Sequence, residues 1–294
     1  METTERIEAA LEAVLQTTVG ADCPPGLQAA LRWAVFPGGG RVRARLCLAV
    51  AGACGDDAPA LADGAAVAVE LLHCASLAHD DLPCFDDAAT RRGRDAVHVR
   101  FGEQRALLVG DGLIVLAFEQ LARAGRRHPE RLPALLAALG GGAGAACGLV
   151  AGQAWESEAG LELERYHRTK SAALIEAATA AGAIAAGAEG AAWRGPGRLL
   201  GLAYQVADDI ADAAGDPARL GKPAGQDAAH GRPSAVAAYG LTGALQRLDG
   251  LLADAAAALP ACNGRDRLID LFDDLGRRLC PPALRERLAA AASS

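Results

Sequence analysis

Two groups of aspartates have the residue types and spacing to do chemistry. Asp80, Asp81, Asp86 and Asp87, in the run His79-Asp80-Asp81-Leu82-Pro83-Cys84-Phe85-Asp86-Asp87, close one long apolar stretch, and Asp208, Asp209 and Asp212 close another. A helix C-terminus already carries negative partial charge, so carboxylates there call for a compensating cation. Arg91 and Arg92 follow the first group closely, and a divalent metal would compensate more strongly. Few, hard oxygen donors suit Mg²⁺, which keeps several waters and bridges to phosphate. Asp208 and Asp212, four residues apart, share one helix face. Either group alone fits a solvated acidic helix end beside arginine. Two of them, each ending an apolar helix, point to a site that holds a diphosphate through metal.

Cations supply the other half of such a site. Arg41 and Arg43 follow three glycines at a predicted helix start, where backbone N–H groups also favour anions. Arg91 and Arg92 follow the first acidic group, and Lys170 and Lys222 lie in polar breaks further on. Each alone reads as a solvated surface charge; their placement beside breakers and carboxylates lifts them as a set. His73 and His79, six residues apart, fall on different faces of one helix and lack the spacing of a zinc pair.

These side chains need helices to hold them. The composition is 51% hydrophobic but only 4% aromatic, with alanine and leucine dominant, which favours helix over strand. Apolar periodicity predicts helices over residues 4–15, to about 36, 41–50, 58–79, 103–124, 132–157, 161–187, 197–213 and 234–259, then two shorter ones. Residues 36–40, with one proline and three glycines, form a breaker, and 215–233 reads as a long loop of the kind that often serves as a lid. No linker composition marks a boundary, so residues 1–294 read as one all-α domain, a single large helical bundle. Residues 132–155 carry no charge and could span a bilayer by length, but Pro133 and the glycines make them weakly apolar. A buried helix with close-packing glycines is expected there, and no transmembrane segment. The net charge of −7 argues against nucleic acid as a partner. Eight cysteines without a C-x-x-C pair, and a start lacking the order of a signal peptide, predict a cytoplasmic protein.

Taken in order, the motifs resemble those of the trans-isoprenyl diphosphate synthases, or polyprenyl synthetases, over essentially the whole chain. The run from His79 to Asp87 with Arg91-Arg92-Gly93 resembles the family's first aspartate-rich motif, and Tyr204-Gln205-Val206-Ala207-Asp208-Asp209-Ile210-Ala211-Asp212 the second. Gly221-Lys222-Pro223, Gly152-Gln153 and Lys170-Ser171 also fall in family order. Val35-Phe36-Pro37-Gly38-Gly39 and Gly152-Gln153-Ala154-Trp155-Glu156-Ser157-Glu158 are most similar to geranylgeranyl diphosphate synthases of bacterial carotenoid and bacteriochlorophyll pathways. The resemblance implies the isoprenoid synthase fold around a central apolar cavity. It also implies Mg²⁺-dependent head-to-tail (1′-4) condensation of isopentenyl diphosphate with allylic diphosphates, by a homodimer with three ions per active site.

Residue by residue, it implies metal ligation by Asp80, Asp81, Asp86, Asp208, Asp209 and Asp212. Arg91, Lys170 and Lys222 would contact the allylic diphosphate, and Arg43, His73 and Arg92 the isopentenyl diphosphate. Gln205 would line the reacting carbons, beside Ser171, which keeps the hydroxyl of the family's usual threonine. Gly40 stands where a lysine often binds isopentenyl diphosphate, and Arg41 or Arg45 is the candidate replacement. Ala75 and Ser76 are small where shorter-chain enzymes often place an aromatic floor, which implies a twenty-carbon product, with Leu72 and Val69 as the next floor. The alternatives are a farnesyl or other chain-length synthase, a class I terpene cyclase, or a non-catalytic partner subunit.

Overall fold

Alanine and leucine at helical spacing leave little material for strands, and helices follow through most of the chain. They are α1 Thr3–Thr18, α2 Pro25–Val35, α3 Val42–Ala53, α4 Pro59–Asp80, α5 Val97–Phe101, α6 Glu103–Ala124, α7 Leu132–Ala143, α8 Leu149–Trp155, α9 Leu163–His167, α10 Ala173–Ala185 and α11 Ala191–Ala213. Two more are α12 Ala235–Ala257 and α13 Arg265–Leu279. A short antiparallel hairpin pairs β1 Thr90–Arg91 with β2 Arg94–Asp95, Thr90 opposite Asp95 and Arg91 opposite Arg94. The structure, a computed structural model, describes residues 3–20, 22–158, 160–214, 232–282, 284–286 and 288. Lys222 and most of the loop expected over 215–233 lie outside the described residues.

The chain forms two compact units, Met1–Leu139 with Ala181–Ala188, and Gly140–Ala180 with Glu189–Ser294. In the first, Pro59 opens α4, where its missing N–H would find no helical partner anyway. Leu61 and Leu71 of α4, with Leu113 and Leu121 of α6, are almost wholly buried. Each such side chain contributes about 1.5–3 kcal/mol when taken out of water. Glycines set the close antiparallel approach of these helices. A Cβ at Gly64 would lie 2.3 Å from that of Ala124, and one at Gly110 would lie 2.0 Å from His79 Nε2. Among the described residues α4 alone is long and apolar enough to cross a membrane, and 72% of its apolar window is buried in the fold.

In the second unit, Ala203, Val206 and Ile210 of α11 form a core with Ala244, Leu248 and Leu251 of α12. Three helix boundaries differ from expectation. Residues 132–157 are not one buried helix: the chain breaks between α7 and α8, and Leu136 and Val150 are 37% and 53% exposed. Gly148 packs there on the end of α7, where a Cβ would come 2.6 Å from the Gly142 carbonyl. The run from α9 to α10 is interrupted by a π turn, Arg168–Ala172. Finally, α11 begins before Pro196, which sits early enough to forfeit only a bond near the helix start.

Candidate active site

The core helix α4 delivers the first acidic group at its C-terminal end. There Asp86 N donates to Asp80 O at 2.9 Å and Ala88 N to Asp81 O at 3.2 Å, so the chain folds back and returns Asp86 beside Asp80. Asp81 is 2% exposed. Arg91 Nε lies 2.9 Å from its Oδ1 and 3.3 Å from its Oδ2, and Arg91 Nη2 also donates to Oδ1. Burial pushes the Asp81 carboxyl up while Arg91 pulls against it. Burial also works against the Arg91 charge, but Asp81, with Asp80 and Asp86 nearby, more than offsets it. Among the described residues no three His, Cys, Asp or Glu side chains cage a metal ion. Hard carboxylates gathered on one loop-closed helix end, short of a full cage, fit magnesium. That ion is held by one or two carboxylates together with water and substrate phosphates.

The hairpin after this loop aims the next cation. Arg92 and Gly93 are its two turn residues, with φ of 53° and 74°, as the I′ turns of short hairpins require. For arginine that backbone is strained by about 1–2 kcal/mol. The result is that Arg92 lies on the glycine loop. It donates to Gly38 O, and a Cβ at Gly39 would sit 2.6 Å from its Cζ. Arg92 Nη2 is 3.5 Å, and Arg43 Nη1 3.3 Å, from His73 Nε2. Loss of water around its ring, then the charges of Arg43, Arg92 and Arg91, drive the His73 pKa well below its ordinary value. Two guanidiniums around a neutral imidazole make an anion site, and the three residues expected to bind isopentenyl diphosphate are brought together.

Arg41, expected with Arg43 at the substrate, has different surroundings. Its side chain is fully enclosed, with Nε 2.8 Å from Glu8 Oε1, Nη1 3.0 Å from Glu70 Oε1 and Nη2 2.6 Å from Val35 O. A guanidinium so placed anchors α1, α3 and α4, apart from Arg43, His73 and Arg92. The cation that lies on the glycine loop is Arg92.

In the second unit the spacing of Asp208 and Asp212 puts both on one face of α11, while Asp209 turns inward and is 2% exposed. Its Oδ1 accepts from Gln205 Nε2 at 2.8 Å and its Oδ2 from Ala235 N at 2.6 Å, in the first turn of α12. His167 Nε2 lies 3.1 Å from Oδ2, off the line a hydrogen bond needs. The Gln205 carbonyl in turn receives the Ser171 hydroxyl. Asp209, Gln205 and Ser171 therefore tie α11 to α12 and to the π turn. The structure places all three of these expected metal- and substrate-binding residues in this buried hydrogen-bond network.

Lys170 sits on the same π turn, a local irregularity frequent at functional sites. Gly152 of α8 backs it, since a Cβ there would lie 2.6 Å from Lys170 Cα. Its ammonium pairs with Glu156, which also accepts from Tyr166 Oη at 2.7 Å, Arg232 Nη2 at 2.7 Å and Gln153 Nε2 at 3.1 Å. Sequence reasoning passes over Glu156, Tyr166, His167 and Arg232 as functional residues. The one available signal is that Glu156 falls one helical turn after Gln153.

The chain-length candidates separate by face. Ser76 is half-buried, one turn before Asp80, with its hydroxyl donating to His73 O at 2.8 Å. Ala75 and Leu72 are 1% and 2% exposed and are buried in the core of the first unit. Leu77 joins Ser76 on the half-buried side.

Known proteins are similar to this chain over nearly its whole length. The polyprenyl synthetase family profile matches residues 24–259. The chain is 50% identical to a geranylgeranyl diphosphate synthase of Cereibacter sphaeroides, over 97% of this chain and 99% of the relative. It is 47% identical to one of Rhodobacter capsulatus, over 96% and 98%. Among solved structures, a Helicobacter pylori geranyltransferase complexed with magnesium and isoprenyl diphosphate is similar with a TM-score of 0.80 and 28% identity, over 93% of this chain and 95% of that one.

Proposed function

The chain belongs to the polyprenyl synthetase family and is a prenyltransferase, and from that premise we propose that it makes geranylgeranyl diphosphate by adding isopentenyl diphosphate head to tail to allylic diphosphates. The observation that carries the site assignment is the arrangement at the end of α4. Asp80, Asp81 and Asp86 gather with Arg91, and Arg43, His73 and Arg92 gather beside the glycine loop. In this reading Asp80, Asp81 and Asp86 are magnesium ligands, and so are Asp208 and Asp212, with three ions per active site. Arg91, Lys170 and Lys222 bind the allylic diphosphate, and Arg43, His73 and Arg92 bind isopentenyl diphosphate. Magnesium, when bound, supplies positive charge that stabilises the departing diphosphate. Preset guanidinium and ammonium groups do the same without reorganising as the bond breaks. The isopentenyl double bond then attacks the allylic carbocation, and the released diphosphate takes the proton.

We read the whole chain, residues 1–294, as one catalytic domain. We also propose a homodimer, a reading that rests on the motif resemblance; two apolar residues on one face of α6, Leu108 and Val115, are 53% and 65% exposed. The motif resemblance extends the proposal to a cytoplasmic enzyme that supplies carotenoid synthesis.

The test combines purified protein, Mg²⁺, labelled isopentenyl diphosphate and each allylic starter, followed by chain-length analysis. A dominant twenty-carbon product is expected. No condensation with any starter refutes the synthase reading, and a purely fifteen-carbon product refutes the chain length.

A further inference from the structure

The hairpin that delivers Arg91 and Arg92 is too small to hold itself. Its strands are Thr90–Arg91 and Arg94–Asp95, and an isolated two-stranded hairpin is marginal in water even when longer. Its turn also keeps Arg92 at φ 53°, a left-handed backbone that persists only where the surrounding structure enforces it. Packing does not enforce it on every side, because the hairpin borders a cavity lined by Trp33, Leu77, Asp81 and Arg94 among others. A grip from outside comes from Trp33 of α2.

Trp33 holds the second strand in two ways. Its Nε1 donates to Asp95 O at 3.0 Å, and the Arg94 guanidinium lies over its ring, with Cζ 3.5 Å from the centroid. A cation that close to an indole is attracted by the negative face of the ring. So stacked, Arg94 donates from Nη1 to Phe36 O at 2.6 Å, while Arg92 donates to Gly38 O. Two arginines two residues apart on the hairpin thus bond two carbonyls two residues apart at the glycine loop. The indole is fixed from α5 as well, with Arg100 Cζ 4.1 Å from its centroid and the Phe101 ring edge-on at 6.1 Å.

We propose that Trp33 and Arg94 are positioning residues for isopentenyl diphosphate, which fix the hairpin against the glycine loop and so hold Arg92 beside Arg43 and His73. This rests on the site proposed above for that substrate. Both residues act through Arg92 and touch no reacting atom. Arg91 depends on them less, because Asp81 holds it directly through both carboxylate oxygens. Their loss therefore falls on isopentenyl diphosphate rather than on the allylic diphosphate.

Steady-state kinetics with each substrate varied separately test it on Trp33→Leu, Trp33→Phe, Arg94→Met and Arg100→Met. Trp33→Leu and Arg94→Met are expected to raise KM for isopentenyl diphosphate roughly tenfold, the loss of one charge-assisted contact, while KM for the allylic diphosphate moves less than about twofold. Trp33→Phe keeps a ring under Arg94 and loses only the N–H donor, so it should recover part of the loss. Arg100→Met takes the other cation from the ring and leaves both bonds to the glycine loop, so it should change that KM less than about twofold. Equal rises in both KM values, or an unchanged isopentenyl KM in folded Trp33→Leu and Arg94→Met, overturn the proposal. Wild-type turnover checks the premise separately: absence of condensation refutes the synthase reading alone. The positioning role is then judged by calorimetric binding of isopentenyl diphosphate. Binding roughly tenfold weaker in Trp33→Leu and Arg94→Met supports it, and unchanged binding, or none by the wild type, overturns it.

Discussion

Replacing Arg41 with methionine separates structural from substrate-binding arginines in this protein. The variant keeps the aliphatic stem and removes a guanidinium bonded to Glu8, Glu70 and Val35 O. Glu8 is 37% exposed and can recover water, so its loss is small. Glu70 is 2% exposed, and its Oε2 already lacks a hydrogen-bond partner among the described residues. Removing one member of a buried pair strands the other charge, at a cost of about 3–5 kcal/mol. Against a usual total of about 5–15 kcal/mol, this is a large fraction of the stability. Urea unfolding followed by circular dichroism should show a clearly lower midpoint. Adding Glu70→Leu should restore most of it, because an apolar replacement of the pair leaves no buried charge. Arg43→Met should do the reverse, raising KM for isopentenyl diphosphate with a far smaller change in midpoint. If Arg41→Met unfolds within about 1 kcal/mol of wild type and raises that KM tenfold, the assignment of Arg41 to the core is wrong.

Three more perturbations follow from the same geometry. His73 is held neutral in the fold, so below pH about 6.5 the unfolded chain takes up a proton that the folded chain does not; stability should fall as pH drops, by at most about 1.4 kcal/mol per unit. Glutamine at His73 should remove that increment in pH-dependent unfolding, and an unchanged slope would contradict a neutral ring. Ser76→Phe should shift products toward fifteen carbons in chain-length analysis, whereas Ala75→Phe should overpack the core by about 1–3 kcal/mol and lower the melting temperature. Asp208→Asn should cut turnover with little effect on melting. Asp209→Asn should lower the melting temperature, because it weakens the acceptor for Ala235 N, and equal behaviour of the two variants would refute their separation.

Much of the fold was legible in advance because it is locally encoded. Apolar periodicity placed α4 and α6, and carboxylates at the ends of α4 and α11 stood out because such ends disfavour negative charge. Motif order then identified the family. The breaks at α7–α8 and the π turn were not legible, since glycine there serves close packing against distant backbone, and periodicity does not report distance in space.

The aspartate-rich helix ends and their chemistry are thus properties of the sequence itself. Which neighbour does which job is a property of the tertiary structure. Arg41 and Arg43 carry the same charge two residues apart, but one is enclosed by Glu8 and Glu70 and the other meets His73. Asp208 and Asp209 are adjacent, but a helix turns consecutive side chains about 100° apart, and Asp209 meets Gln205 and Ala235. Charge and spacing are written along the chain, whereas burial and partners come from residues tens of positions away that only folding brings near.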